Sequence, residues 1–116
     1  LCPDGSLAAA KLTALVAAEG SLAEQVASVT TYPIQRRSIE VDDKAAVMQR
    51  VAEKLRDAYD DVTTIDGVRV STADGWVLVR PSGTQPLIRI TAEAETENAA
   101  DDLLVATVDS VEAARE

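Results

Sequence analysis

The stretch DGWVLVRPSGTQPLIRITAEA, residues 74–94, decides the fold. Asp74-Gly75 is a tight-turn signal between two runs of β-type residues. Trp76–Arg80 reads as a return strand. Leu87–Ala94 reads as the next one, across a break at Pro81-Ser82-Gly83-Thr84-Gln85-Pro86. In the second run Leu87, Arg89 and Thr91 fall on one side and Ile88, Ile90 and Ala92 on the other, the alternation of a half-buried sheet. Upstream, Val62–Ile65 (ending at Asp66-Gly67), Val68–Thr72 and residues 34–41 add three more strands. Asp42 is expected to cap an amphipathic helix over 43–59, where Val47, Met48, Val51, Ala52, Leu55 and Tyr59 recur at three- and four-residue steps. Thr96 or Asn98 opens a last helix with a buried stripe of Ala100, Leu103, Leu104, Thr107, Val108 and Val111. Strand, helix, several strands, helix is an α+β order. It implies a mainly antiparallel four- to five-stranded sheet with two helices packed on one face.

A helical lead-in precedes this unit. Residues 3–19 read as a helix capped by Asp4 and stopped at Gly20, with Leu7, Leu12, Leu15 and Val16 marking an apolar side. Ser21 with Glu24 is a capping-box signal for a short helix over 22–28, and residues 29–33 form a connector. The first residue is Leu1 rather than Met, which suggests a piece cut from a longer protein.

Composition narrows the function. The chain has 116 residues, enough for one domain or one domain plus a tail. Eleven Lys and Arg against 20 Asp and Glu give a net charge of −9, which removes any general attraction to nucleic acid or anionic lipid. There is no His, hence no imidazole acid–base or metal ligand. Cys2 is the single cysteine, so neither an internal disulfide nor a zinc cluster of cysteines is available. The cytoplasm is the default compartment, and no apolar run is long enough to span a membrane. Dense carboxylates, only three lysines and no Phe form a bias seen in proteins adapted to high salt.

Positive charge is concentrated against this background. Residues 75–92 hold Arg80 and Arg89 and no acidic residue, while the other 98 residues carry 9 basic and 20 acidic ones. This window contains the long turn, and every member of the turn suits an oxyanion. Ser82 and Thr84 offer hydroxyl donors. Gly83 lets the backbone approach a ligand, and successive N–H groups in a tight loop make an anion nest. Pro81 and Pro86 stiffen the ends, lowering the ordering cost on binding. Arg80 brings a fork that can grip two phosphate oxygens, and Arg89 can add a second cation from the next strand. Residues of these types also occur in loops that only solvate a sheet edge.

Asp66-Gly-Val-Arg-Val70 followed by residues 74–94 resembles the C-terminal domain of the α-D-phosphohexomutases, the family of phosphoglucomutase, phosphomannomutase and phosphoglucosamine mutase. That domain carries an Arg-Pro-Ser-Gly-Thr-Glu-Pro loop, then an Arg and a strand ending in Glu-Ala. Gln85 stands where Glu is usual, keeping size and hydrogen bonding but dropping a negative charge. The resemblance implies that residues 1–20 are the last helix of a preceding third domain, 21–33 a hinge and 34–116 the phosphate-binding domain. It implies an enzyme that interconverts hexose 1- and 6-phosphates with a phosphoserine and a Mg²⁺ held outside these residues. Arg80, Ser82, Gly83 and Thr84 would cradle the phosphate that is not reacting, Arg89 would support them, and no residue here would be catalytic. The partners implied are a hexose phosphate or bisphosphate and the other three domains. A non-catalytic module using the same fold against a protein partner is the rival reading.

Other residues have plainer readings. Trp76 is expected in the core or shielding a turn, rather than stacking on a sugar. Asp42-Asp43 and Asp60-Asp61 suit capping and solvation, Asp66 and Asp74 suit turns, and Arg36-Arg37 suit solvent or another domain. Cys2 is an incidental thiol.

Overall fold

β-branched residues alternate with polar ones through the second half of the chain, and each strand thereby acquires one apolar face. The computed structural model describes residues 4–116. Leu1, Cys2 and Pro3 lie outside the described residues, and with them the Cys2 thiol and the expected start of the lead-in helix at Pro3. The chain divides into two units between Thr31 and Tyr32.

The first unit holds α1 (Gly5–Glu19) and α2 (Leu22–Val26). Asp4 caps α1 by accepting the Leu7 N–H at 2.9 Å, and Gly20 ends it at φ +96°. Ser21 and Glu24 form the reciprocal capping box of α2, which stops at Val26 rather than Ser28. The Ser21 hydroxyl, then the Ser21 backbone N–H, hold the Glu24 carboxyl below its ordinary value. Neither helix buries a side chain. Leu7, Leu12, Leu15 and Val16 are 38–53% exposed, so the expected apolar side is not a buried stripe. Alanines surround these residues, and two short helices offer no second layer to cover them.

The second unit holds β1 (Ile34–Glu40), α3 (Lys44–Ala58), β2 (Val62–Thr63), β3 (Val68–Ser71), β4 (Gly75–Pro81), β5 (Leu87–Ala94) and α4 (Glu97–Arg115). The five strands form one antiparallel sheet in the order β1-β5-β4-β3-β2. α4 packs on β1, β4 and β5, and α3 on β3, β4 and α4, so both helices cover one face. Register aligns the apolar rows beneath them: Val68, Val79 and Ile90 in one, Val70, Val77 and Ala92 in the next, Ile39 and Ile88 in a third. These residues and Val51, Leu55 and Val111 are nearly solvent-free. Each buried Val, Ile or Leu among them contributes about 1.5–3 kcal/mol by leaving water. The other sheet face presents Arg36, Arg69, Trp76, Leu78, Arg80, Arg89 and Thr91.

Three details depart from the sequence reading. Asp43, not Asp42, caps α3, because its carboxylate is the one that reaches the Ala46 N–H, at 3.0 Å. β2 ends at Thr63, and Ile65 is 91% exposed. The chain leaves the sheet edge there to turn at Gly67, whose φ is +94° and where a Cβ would stand 2.2 Å from the Val79 carbonyl oxygen. Ala114, absent from the expected stripe, is fully buried, and its carbonyl accepts the Arg50 Nε–H at 2.6 Å, tying α4 to α3.

Candidate functional site

The loop Ser82–Pro86 joins β4 and β5, both inner strands, so a ladder flanks it on each side. Ser82 donates its N–H to the Leu87 carbonyl at 2.9 Å. Leu87 donates to the Gln85 carbonyl at 2.9 Å, closing a three-residue turn around Pro86, whose fixed φ suits an inverse γ-turn. The Pro86 carbonyl accepts the Val41 N–H at 3.0 Å, fastening the loop to the chain leaving β1. Among the described residues no acceptor is paired with the N–H of Gly83, Thr84 or Gln85. Three consecutive exposed amides are thus available to a ligand.

The cations lie on the two strands that the loop joins. Arg80 and Arg89 are register partners on the face turned away from the helices, and their side chains leave the sheet about 5 Å apart. Like charges directly opposite destabilise a sheet. Relief within the chain is slight. Asp66 approaches Arg80 at 3.6 Å, but both side chains are open to water at 83% and 47%, and no hydrogen bond joins them. Such a contact is worth under about 1 kcal/mol. Arg89 donates to the neutral Gln85 Oε1 at 3.2 Å and, among the described residues, meets no carboxylate.

The expected site residues are therefore adjacent, with two qualifications. Ser82 is 5% exposed and its amide is engaged, so only its hydroxyl remains to serve a ligand. Gly83 has no positive φ, and a Cβ there would meet nothing within 4 Å. Nothing inside the chain requires a glycine at this position, and the loop lacks the left-handed residue of an αR-αL nest. Trp76 is not in the core. It is half-buried on the open face beside the 72–75 turn, donates to Glu93 Oε1 at 3.0 Å and lies 5.2 Å beneath the Arg69 guanidinium.

One residue near the loop escaped the sequence reading. Lys44, at the start of α3, donates from Nζ to the carbonyls of Ser82 at 2.7 Å and Gln85 at 3.0 Å. No local signal marks it, because its partners are 38 and 41 residues away.

The larger hollows lie elsewhere. One of 870 Å³ is lined by five carboxylates, Glu40, Asp42, Asp43, Glu112 and Glu116, against two cations, Arg50 and Arg115, a balance that disfavours an anion. A second, of 230 Å³, borders Trp76 and the 72–75 turn. Neither includes residues 82–85. Among the described residues no group of three or more Asp, Glu or Cys is placed to hold a metal ion, and no helix is long and apolar enough to cross a membrane.

Known structures share this architecture. A phosphoglucomutase/phosphomannomutase family protein from Burkholderia thailandensis superposes with a TM-score of 0.78 at 23% identity, over 96% of this chain and 24% of that one. The N-acetylphosphoglucosamine mutase of Aspergillus fumigatus, crystallised with GlcNAc-6P and magnesium, superposes at 0.64 with 22% identity, over 91% and 20%. The family model for the phosphoglucomutase/phosphomannomutase C-terminal domain matches residues 38–110, and the chain belongs to that family. Among curated relatives, the probable phosphoglucosamine mutase of Methanopyrus kandleri is 53% identical over 96% of this chain, and that of Methanocella arvoryzae 46% over 88%. The chain spans about a quarter of the length of these relatives, 25% and 24%.

Proposed function

We propose that residues 80–86, with Arg89, hold the non-reacting phosphate of a hexose phosphate within a larger phosphohexomutase, and that this chain does no chemistry by itself. The observation that carries this reading is the Arg80–Arg89 cross-strand pair on the two strands joined by a loop with three unpartnered amides. Two cations held opposite each other with little internal compensation suit a doubly charged ligand that neutralises both. Arg80 supplies two parallel donors, Arg89 a second guanidinium, Ser82 and Thr84 hydroxyls, and the amides of 83–85 the remaining contacts.

Such a clamp serves phosphoryl transfer by position. Binding energy at the remote phosphate can be spent on orienting the reacting end. A loop that reads phosphate alone can take either end of the sugar in turn, which reversible exchange between positions 1 and 6 demands. The residues described here offer no metal cluster, so no metal-assisted step is assigned to them. In this reading residues 1–20 belong to a preceding domain, 21–33 form a hinge and 34–116 the clamp. The names of the archaeal relatives favour glucosamine phosphate as the sugar.

Backbone amide shifts of the 116-residue chain, followed during titration with glucosamine 6-phosphate, test the reading. Residues 82–85 and 89 should move. Arg80→Ala should weaken binding roughly 10- to 100-fold, the loss of charge-assisted hydrogen bonds worth about 1.5–3 kcal/mol. If the loop ignores the ligand while a protein partner shifts the sheet face, the interaction-module reading takes its place.

A further inference from the structure

Lys44 is half-buried at the first turn of α3, in a chain with 20 carboxylates, and among the described residues it pairs with none of them. Its ammonium instead bridges two neutral carbonyls of the loop, at 2.7 and 3.0 Å. The bridge has a geometric consequence. Every peptide bond in the described chain is trans, and a trans peptide directs its C=O and N–H to opposite sides. Drawing the Ser82 carbonyl towards Lys44 therefore turns the Gly83 N–H away from Lys44. The second tie, at Gln85, closes the other end of the same short segment. Its peptide leads into Pro86 and has no N–H to present, so its role is to fix the span between the two carbonyls.

We infer that Lys44 is a positioning residue of the phosphate loop: it orients the Gly83 amide towards the anion, fixes the span from Ser82 to Gln85, and brings a cation to the loop in addition to those of Arg80 and Arg89. This deepens the phosphate reading and rests on it. Lys44 need not touch the phosphate to do this, since two of its three ammonium donors are held by the carbonyls. The Gly83 amide is thus aimed before the ligand arrives, which lowers the ordering cost of binding.

The test is titration of the 116-residue chain with inorganic phosphate, read at backbone amides, for wild type, Lys44→Met, Lys44→Gln and Lys44→Arg, with thermal unfolding of each. Lys44→Met should bind about tenfold more weakly. The phosphate-induced shift at the Gly83 amide should shrink, while the shift at Arg89 persists at saturation. Lys44→Arg, which keeps charge and donors, should recover most of the affinity. Lys44→Gln, which keeps one donor without charge, should fall between the two, and it remains informative if Lys44→Met fails to fold. Wild-type affinity and an unchanged Gly83 shift in folded Lys44→Met or Lys44→Gln would overturn the inference and leave the phosphate reading standing. Absence of any phosphate shift in the wild type would instead overturn the phosphate reading, and the inference with it.

Discussion

Gln85 sets the charge balance at the loop. Its Oε1 accepts from Arg89 without carrying charge, so the guanidinium keeps its full attraction for an anion. Gln85→Glu would place a carboxylate against Arg89. The folded chain should gain less than about 1 kcal/mol from this exposed pair. Phosphate affinity, read by calorimetric titration, should fall roughly two- to fivefold, as expected for a coupling of that size. Gly83 separates stability from binding more cleanly. A methyl group there meets no neighbour and the backbone needs no positive φ. Gly83→Ala should therefore leave thermal stability unchanged, or raise it by about 0.4–1 kcal/mol through the unfolded chain, while phosphate binding weakens. An equal loss of both would mean that the glycine serves the fold. Of the residues at this site, Arg80, Ser82, Gly83, Thr84 and Arg89 could be found by reading along the chain, because they are contiguous or nearly so. Lys44 and Asp66 could not, since their contacts with the loop and with Arg80 exist only once α3 and the 64–67 turn have folded against β4.

At the level of elements, turns and strand faces were legible and helix edges less so. The alternation of Ile88, Ile90 and Ala92 with Leu87, Arg89 and Thr91 gave the buried face of β5 directly, because period two admits no other division. The cap of α3 was misplaced by one residue because Asp42 and Asp43 carry the same chemistry, and only the path out of β1 decides which of them reaches Ala46. Asp74-Gly75 closes the turn between β3 and β4 as its sequence implies, but its glycine answers to packing. Gly75 has no positive φ, and a Cβ there would stand 2.1 Å from the Glu93 carbonyl oxygen. Gly67 is the backbone glycine, needed both for its φ and for the approach to Val79 and Arg80. Gly67→Ala should destabilise by on the order of 1–3 kcal/mol from conformation alone, more with the clash. The expected readout is a melting temperature lower by roughly 4–8 °C per kcal/mol. An unchanged melting temperature would contradict this account of the 64–67 turn.

For the whole molecule, the contrast is between a strongly acidic chain and a small basic face. The net charge of −9 argues against polyanionic partners, yet Arg36, Arg69, Arg80 and Arg89 share one side of the sheet with only Glu40 and Glu93 as strand carboxylates. Such a spot can draw a small anion even on a chain of net negative charge. The helix layer takes the apolar rows and leaves the opposite face free to carry these charges, so fold and site are two sides of one sheet. The lead-in shows the limit of local reading. Leucine spacing marked an apolar side on α1, but burial requires a second layer, and neither α1 nor α2 obtains one within its unit.

A crystal structure of the chain grown with glucosamine 6-phosphate tests the central claim most directly. The account predicts the phosphate seated over the Arg80–Arg89 pair, within hydrogen-bonding distance of the Gly83 and Thr84 amides and of the Arg80 guanidinium. A phosphate found elsewhere on the chain, with these amides bonded only to water, would contradict it.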